Sequence, residues 1–174
     1  MRVIYPGTFD PVTLGHLDIV RRAEAIFGTV EIAVVASSSK NVFFTLEQRV
    51  ALMRESLLEA GLGTVGVASF DCLLVNHMRS IGATCFIRGL RANADFEYEF
   101  QMQLVNRRLA PDITGIFMMP SEDMIYLSST LVRELAMYGG DLSAFVTPCV
   151  REALRRRFPA RQGTNPSSEW NGQS

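Results

Sequence analysis

The sequence predicts an α/β fold: one domain built on an open, doubly wound (Rossmann-like) five-stranded parallel sheet flanked by helices. Short apolar runs alternate along the chain with segments in which apolar residues recur at helical spacing. The run Val-Glu-Ile-Ala-Val-Val-Ala at 30–36 is almost continuously apolar, as in a strand that is buried on both faces. The chain has 174 residues, 48% of them apolar, which is enough for one substantial core.

The first repeats of this alternation are well marked. A short strand at 2–5 ends at a Pro-Gly turn and leads into a helix, so that His16 lies in the first helical turn. Unpaired backbone N–H groups at such a helix start suit a bound phosphate. The run at 30–36 is the second strand. Thr45 and Gln48 then fit a capping box at the start of the next helix.

The second half of the chain continues the pattern. Further strands are predicted at 64–70, 84–87 and 114–119, and a Thr-Pro pair at 147–148 starts the last helix. The helix predicted at 95–110 carries two apolar stripes, more than one sheet face usually covers. Deep burial inside the monomer and a subunit interface both remain open as explanations. The stripes consist of Phe96, Phe100 and Leu104, and of Tyr98, Met102, Val105 and Leu109.

Composition bounds the class of protein. Residues 1–158 are predicted to form the domain, and 159–174, rich in Gly, Pro, Ser and Asn, a flexible tail. The formal net charge of −1 argues against a nucleic-acid partner. No apolar run approaches the roughly 18 residues that span a bilayer, and no signal peptide precedes the first strand, so we expect a cytoplasmic protein with no membrane partner. Cys72, Cys85 and Cys149 are scattered, so we expect buried thiols rather than a disulfide or zinc site.

Polar residues follow the ends of successive predicted strands. Because the carboxyl ends of parallel strands share one edge of the sheet, we expect one cleft to collect them. His16, Lys40, Arg88 and Arg91 form a cationic set suited to phosphates, and Lys40 is the only lysine among 17 basic residues. Ion pairing with acidic residues at 95–99 would explain either arginine alone, but it is a weaker account of all four groups. The other members are Thr8, residues 71–74, Ser128 and Ser129.

The sequence also limits the chemistry. It has no GxGxxG after the first strand and no GxxxxGK[ST], so the phosphate cradles of dinucleotide redox enzymes and P-loop kinases are missing. No nucleophile and base pair and no paired metal carboxylates are evident. An attacking phosphate monoester needs neither, because it is already anionic and requires only positioning and charge stabilisation. These residues therefore permit nucleotidyl transfer to a phosphate.

Three ordered blocks resemble a known family. The stretch Tyr-Pro-Gly-Thr-Phe-Asp-Pro-Val-Thr-Leu-Gly-His at 5–16 contains the T/HxGH signature of the nucleotidylyltransferase superfamily, with Thr13 where many relatives have His. This block and those at 87–99 and 128–134 are similar to bacterial phosphopantetheine adenylyltransferases, and the likeness covers about residues 2–158. It implies that ATP and 4′-phosphopantetheine give dephospho-coenzyme A and pyrophosphate, with Mg²⁺, in a cytoplasmic homohexamer.

The resemblance also implies roles for individual residues, with none as a metal ligand. His16, Lys40 and Arg91 would be catalytic, and His16 would stabilise the transition state at the α-phosphate. Phosphopantetheine would be held by Thr8, Lys40, Leu74 and Arg88. ATP would be held by Thr8, Phe9, His16, Gly89, Leu90, Arg91, Glu99, Met124, Ile125, Tyr126, Leu127, Ser128, Ser129 and Thr130.

Two departures from the family pattern and two rival functions complete the prediction. Ser38 stands where many members have Pro, and Cys72 lies where the family varies. Neither removes a charged group, so they affect only the loops on the pantetheine side. One rival is another transferase of the superfamily, acting on nicotinamide mononucleotide or transferring cytidylyl. The other is a non-catalytic nucleotide or coenzyme A sensor.

Overall fold

The computed structural model of the chain describes residues 2–36, 42–90 and 93–159, and of residues 93–95 and 98 only the backbone. The strands are β1 (Val3–Gly7), β2 (Val30–Val35), β3 (Gly66–Phe70), β4 (Cys85–Gly89) and β5 (Thr114–Met118). They form one five-stranded sheet in the order β3-β2-β1-β4-β5, and every pairing is parallel. The predicted fold class is confirmed.

Helices connect the strands in the predicted alternation. They are α1 (Leu14–Phe27), α2 (Leu46–Glu59), α3 (Leu74–Ser80), α4 (Asn93–Leu109), α5 (Ser129–Met137) and α6 (Pro148–Arg157), with a 3-10 helix at Glu122–Met124. None of the helices in the described ranges is long and apolar enough to cross a membrane. The predicted tail lies outside the described residues, apart from Pro159.

The two faces of the sheet bury separate apolar clusters. In β1, Val3 and Tyr5 face one cluster and Ile4 faces the other, as the two-residue period of a strand requires. The first cluster packs against α1, α2, α5 and α6, and the second against α3. The sheet is therefore covered on both faces, which explains why the run in β2 is so continuously apolar.

The strand order places a switch point beside β1. The chain adds β2 and β3 on one side of β1 and then crosses to place β4 and β5 on the other. The carboxyl ends of β1 and β4, at Gly7 and Gly89, therefore point into the crevice between diverging connections. This crevice is where an open α/β sheet binds its ligands.

Side-chain caps fix the starts of two helices. Thr45 and Gln48 form the predicted capping box of α2. Helix α1 begins at Leu14, earlier than its apolar stripe indicated, because Thr13 and His16 form a second capping box. Such caps each contribute about 1 kcal/mol. The early start places His16 at the third helical position, in the first turn as predicted.

One expectation about burial is wrong, and one of the two explanations left open for the α4 stripes is excluded. Cys72 is exposed at the end of β3, whereas Cys85 is buried and Cys149 is half-buried. Deep burial of the α4 stripes inside the monomer is excluded, because the apolar side chains of this helix lie on an open face and Phe96 and Phe100 stack on each other at its surface. The exposed members are Phe96, Phe100, Met102, Leu104, Val105 and Leu109.

Candidate active site

A cavity of about 510 Å³ lies at the switch point of the sheet. Its walls come from five places in the chain: the end of β1 with the turn into α1, Val42 before α2, the end of β4, helix α4, and the segment from Pro120 to the start of α5. These segments include parts of all three motif blocks. One cavity therefore collects residues that are more than 100 positions apart, such as Thr8 and Ser128. We refer to it as the switch-point cavity.

His16 lies in this cavity with its ring orientation fixed by the turn that precedes it. The ring Nδ1 accepts a hydrogen bond from the backbone N–H of Thr13 at 3.0 Å and lies 2.9 Å from the Thr13 hydroxyl. Because Nδ1 is an acceptor, the proton of the neutral ring is on Nε2. The Phe9 and His16 rings pack nearly perpendicular to each other with a centroid distance of 5.1 Å. His16 is therefore a half-buried donor on a rigid support.

Phe9 adopts an unusual backbone conformation at the end of β1. Its φ is +48°, in the left-handed region that costs a residue with a side chain roughly 1 to 2 kcal/mol. Its ring packs onto Gly7, where an added Cβ would lie 2.8 to 3.1 Å from ring carbons. Glycine at position 7 therefore leaves room for this turn. The conformation places Thr8 and Phe9 against the cavity, where the resemblance expects ATP.

Arg88 lies at the end of β4 and is held in the cavity wall by two contacts. Its Nη1 donates to the carbonyl of Pro6 at 3.0 Å, and its Nε lies 3.3 Å from the Glu99 carboxylate. Both side chains of the ion pair are mostly buried. The ion pairing that the sequence offered as an alternative thus exists for Arg88. The guanidinium nevertheless lines the cavity, beside the end of β1.

Asp10 and Arg133 are part of the cavity wall that the sequence reasoning missed. The Asp10 carboxylate is almost fully buried and accepts from the backbone N–H groups of Phe43 and Phe44 at 2.6 and 2.8 Å. Arg133 lies 3.5 Å from the same carboxylate and also donates to the backbone carbonyl of Asp10. Arg133 stands in the 128–134 block, and its sequence separation from Asp10 hid the pairing. Together they join the turn after β1 to α5 and to the start of α2.

The N-terminus of α5 forms another wall of the cavity. Ser128 is its N-cap and accepts from the backbone N–H of Leu131 at 3.0 Å, while the Ser129 hydroxyl donates to the carbonyl of Pro11 at 2.7 Å. A helix start presents N–H donors and the positive end of the helix dipole, which favour anions. The approach to this helix is fixed by Asp18, which accepts from the N–H and hydroxyl of Ser121.

The predicted site residues form three groups: those outside the described residues, those described but away from the cavity, and those that line it. Lys40, Arg91 and the departure Ser38 lie outside the described residues. Leu74, Leu90, Ile125 and Tyr126 are described but do not line the switch-point cavity; Leu74 packs against the apolar cluster at α3, and the Leu90 N–H donates to Met118. Their roles, like those of the lining residues, stay predictions. The predicted residues that line the cavity are Thr8, Phe9, His16, Arg88, Gly89, Glu99, Met124, Leu127, Ser128, Ser129 and Thr130.

Two carboxylates, Asp10 and Glu99, line the cavity where the resemblance implies Mg²⁺. Glu99 is paired with Arg88, and Asp10 is engaged by two backbone N–H groups and by Arg133. Mg²⁺ keeps several waters and is commonly bound through one or two carboxylates plus substrate phosphates. The described carboxylates of the cavity therefore do not form a magnesium site by themselves. An ion here would be held mainly by the phosphates of a bound nucleotide.

An open parallel sheet with an anion-suited cavity at its switch point defines a nucleotide-binding α/β class. Residues 4–135, more than half of the chain, match the family described as Cytidylyltransferase-like. The chain belongs to this family, within the nucleotidylyltransferase superfamily, and is a nucleotidyltransferase.

One solved structure gives an independent view of the fold. The crystal structure of the lipopolysaccharide core biosynthesis protein from Thermoplasma volcanium GSS1 is similar, with a TM-score of 0.50 and 21% identity. The match covers 70% of this chain and 96% of that chain. At this identity the likeness shows the fold alone.

Proposed function

We propose that this protein transfers the adenylyl group of ATP to 4′-phosphopantetheine, giving dephospho-coenzyme A and pyrophosphate. One observation carries the proposal: all three sequence blocks that resemble phosphopantetheine adenylyltransferases contribute to the wall of the switch-point cavity. Thr8 and His16 come from the first block, Arg88 and Glu99 from the second, and Ser128 from the third. This convergence on one cavity is what a common binding site for the two substrates requires.

The reaction is a displacement at the α-phosphorus of ATP. A phosphate oxygen of phosphopantetheine attacks, a new P–O bond forms, and the bond to the β-phosphate oxygen breaks, so that pyrophosphate leaves with the electron pair. The acceptor phosphate is an anion, so no protein base is needed. Negative charge grows on the oxygens around the α-phosphorus, and stabilising it is the task of the protein.

His16 supplies a donor to that charge. Its Nδ1 accepts from Thr13, which fixes the neutral ring with its proton on Nε2. A neutral donor on a rigid support stabilises developing charge without having to reorganise. The helix start beneath it adds the positive end of the α1 dipole. This arrangement explains why a histidine is placed at the third position of α1.

Arg88 and the start of α5 extend the same electrostatic environment. Arg88 reaches the cavity from the end of β4, while Ser128 and Ser129 bring the N-terminus of α5 to the same cavity. A guanidinium and a helix N-terminus that line one cavity suit a substrate pair that carries phosphates on both partners. We propose Lys40 and Arg91 as further cationic groups of this reaction, as the resemblance implies. Mg²⁺ bound with ATP would supply charge neutralisation at the phosphates.

A pyrophosphate-release assay tests the proposed function. ATP would be mixed separately with 4′-phosphopantetheine and with nicotinamide mononucleotide, and CTP with the same acceptors. We expect release only with ATP and phosphopantetheine, and mass spectrometry of the product should show dephospho-coenzyme A. Release with CTP would favour a cytidylyl transferase, the activity after which the family is described. Binding of ATP or coenzyme A without release in any mixture would establish a sensor.

We propose a homohexamer whose interface includes the outer face of α4. The side chains of Phe96, Phe100, Leu104 and Leu109 are each about half exposed and lie on one helix. Exposed apolar side chains in such number are typical of a surface that another subunit covers. Sedimentation should show one assembly of the 19.3 kDa chain. Phe100→Glu should dissociate it, whereas a purely monomeric wild type would contradict the assembly.

A further inference from the structure

Arg49 is a buried cation that does not line the switch-point cavity. It lies in α2 and is only 2% exposed. Its guanidinium donates to three backbone carbonyls: Nη1 to Thr8 at 2.7 Å and to Val35 at 2.8 Å, and Nε to Phe44 at 3.2 Å. Burial lowers its pKa, opposed by the attraction of Asp10. Such a desolvated charge requires a full set of acceptors.

The Arg49 guanidinium lies at the point where the pairing of β1 with β2 ends. The ladder between these strands ends at Gly7 and Val34. The carbonyls of the next residues, Thr8 and Val35, both accept from the same nitrogen of Arg49. The guanidinium therefore takes the place of a further ladder step. It fixes where the chain leaves the sheet at the wall of the cavity.

This contact determines the orientation of one peptide group. The peptide between Thr8 and Phe9 is trans, since the cis bond nearby is between Asp10 and Pro11. In a trans peptide the C=O and N–H point in opposite directions. The Thr8 carbonyl accepts from Arg49, so the N–H of Phe9 points away from Arg49, and both Thr8 and Phe9 line the cavity. Within the described residues, no acceptor is found for that N–H.

The left-handed backbone of Phe9 fits the same explanation. A φ of +48° at a phenylalanine is strained, and it persists only where the surroundings over-determine it. Arg49 holds the carbonyl side of this turn, and the Phe9 ring packs on Gly7 and Tyr5. Two independent constraints thus fix the orientation of the Thr8–Phe9 peptide.

We propose that Arg49 is a positioning residue for the triphosphate site, and that it acts by aiming the Phe9 N–H at a phosphate of the bound nucleotide. The inference rests on the proposed binding of ATP in the cavity. Arg49 does not touch the substrate. Its effect reaches the phosphate through the rigid Thr8–Phe9 peptide.

The test compares a ligand that carries phosphates with one that does not. Affinities for ATP and for adenosine would be measured by calorimetry, without acceptor, in the wild type, Arg49→Lys, Arg49→Met and Arg54→Met. Arg54 is the matched control, because it lies in the same helix and donates to one carbonyl, that of Val67, at the surface. A hydrogen bond to a charged group corresponds to about a 10- to 100-fold change in affinity.

We expect Arg49→Met to weaken ATP binding about 10-fold or more and to change adenosine binding less than about twofold. Arg49→Lys keeps the charge without the fork and should lie between Arg49→Met and the wild type. Arg54→Met should alter neither affinity. Parallel losses for ATP and adenosine, or no loss for ATP, would overturn the positioning role.

A measurement on the wild type keeps the test valid if Arg49→Met does not fold. In protein labelled with ¹⁵N-phenylalanine, ATP should shift the Phe9 amide proton downfield and adenosine should not. An unmoved Phe9 amide at saturating ATP would contradict the inference. Neither measurement uses an acceptor, so a failure of phosphopantetheine as substrate would leave the result intact. Wild-type protein that binds ATP no better than adenosine would instead refute the proposed nucleotide site.

Discussion

The centre of the sheet and its β3 edge differ in how their buried polar groups are partnered. At the switch-point cavity, the Asp10 carboxylate has three partners from two other segments, namely Phe43 and Phe44 before α2 and Arg133 in α5. At the β3 edge, His77 is also buried, but its Nε2 has no hydrogen-bond partner in the described part of the chain, and its ring stacks on Phe70 at 4.6 Å. Burial alone therefore does not mark a functional group. Convergence of partners from separate segments does.

The largest difference between these two regions should be the effect of replacing their histidines on turnover. We expect His16→Ala to lower turnover roughly 100-fold or more while ATP affinity changes little, because the lost donor acts mainly on charge that develops in the transition state. His77→Phe should leave turnover unchanged. Steady-state kinetics for both variants measure the contrast. Equal losses in the two variants would show that the assignment of His16 to the chemistry is mistaken.

Asp10 provides the second test, on stability. Asp10→Asn keeps the shape but removes the charge that two N–H groups and Arg133 share, and we expect a loss of about 2 to 3 kcal/mol in the free energy of unfolding. Asp112→Asn is the matched control, since its pair with Arg79 is exposed and should contribute less than about 1 kcal/mol. Urea unfolding of the two variants gives the comparison. Similar losses of unfolding free energy in both variants would mean that the buried partners of Asp10 add no stability beyond that of an exposed ion pair.

The sequence predicts the sheet well because its signals are local. Alternating apolar runs mark each strand, and the Thr45 and Gln48 capping box marks the start of α2. The same locality places His16 in a first helical turn and Arg88 at a strand end. Adjacent strand ends then bring these two residues to one cavity.

What the sequence does not predict depends on contacts between distant positions. From the sequence, Arg49 is a polar residue on a predicted helix. Only the fold shows that its side chain donates to the carbonyl of Thr8, 41 positions away. Asp10 pairs with Arg133 across 123 positions. The apolar stripes of α4 are plain in the sequence, but whether a helix face is covered by its own chain depends on three-dimensional packing. Leu74 follows a strand end as expected, yet β3 is an edge strand two positions from β1, so it lies away from the cavity.

His77 gives a third test, through pH. Desolvation lowers its pKa below the ordinary 6.5; Glu31 opposes this shift, and Arg2 adds to it. The unfolded chain therefore takes up a proton at higher pH than the folded protein, so this residue makes stability fall as the pH drops through 6.5. We expect His77→Phe to gain about 1 kcal/mol at neutral pH by removing the buried nitrogen, and to lose less stability than the wild type between about pH 7.5 and 5.5.

Thermal unfolding at several pH values checks the role of His77. His16 is present in both proteins and cancels in the comparison. An identical pH dependence in the two proteins would show that His77 is not the group responsible. Activity of His77→Phe at neutral pH should equal that of the wild type, in keeping with a structural role at the β3 edge.

Replacing Leu74 should have the smallest effect on activity. It tests most directly whether the substrate site extends from the switch-point cavity to the β3 edge. It lies at the start of α3, half-buried against the second apolar cluster, and the resemblance assigns it to phosphopantetheine. If the pantetheine arm extends from the switch-point cavity to the β3 edge, Leu74→Ala should raise the KM for phosphopantetheine about threefold, since the variant removes part of an apolar contact. The KM for ATP should stay unchanged. Leu73→Ala is the matched control, because the neighbouring side chain is 62% exposed. A raised KM for Leu74→Ala alone would show that the acceptor contacts both the switch-point cavity and the β3 edge. Equal values for both variants would confine the substrates to the cavity and remove Leu74 from the site.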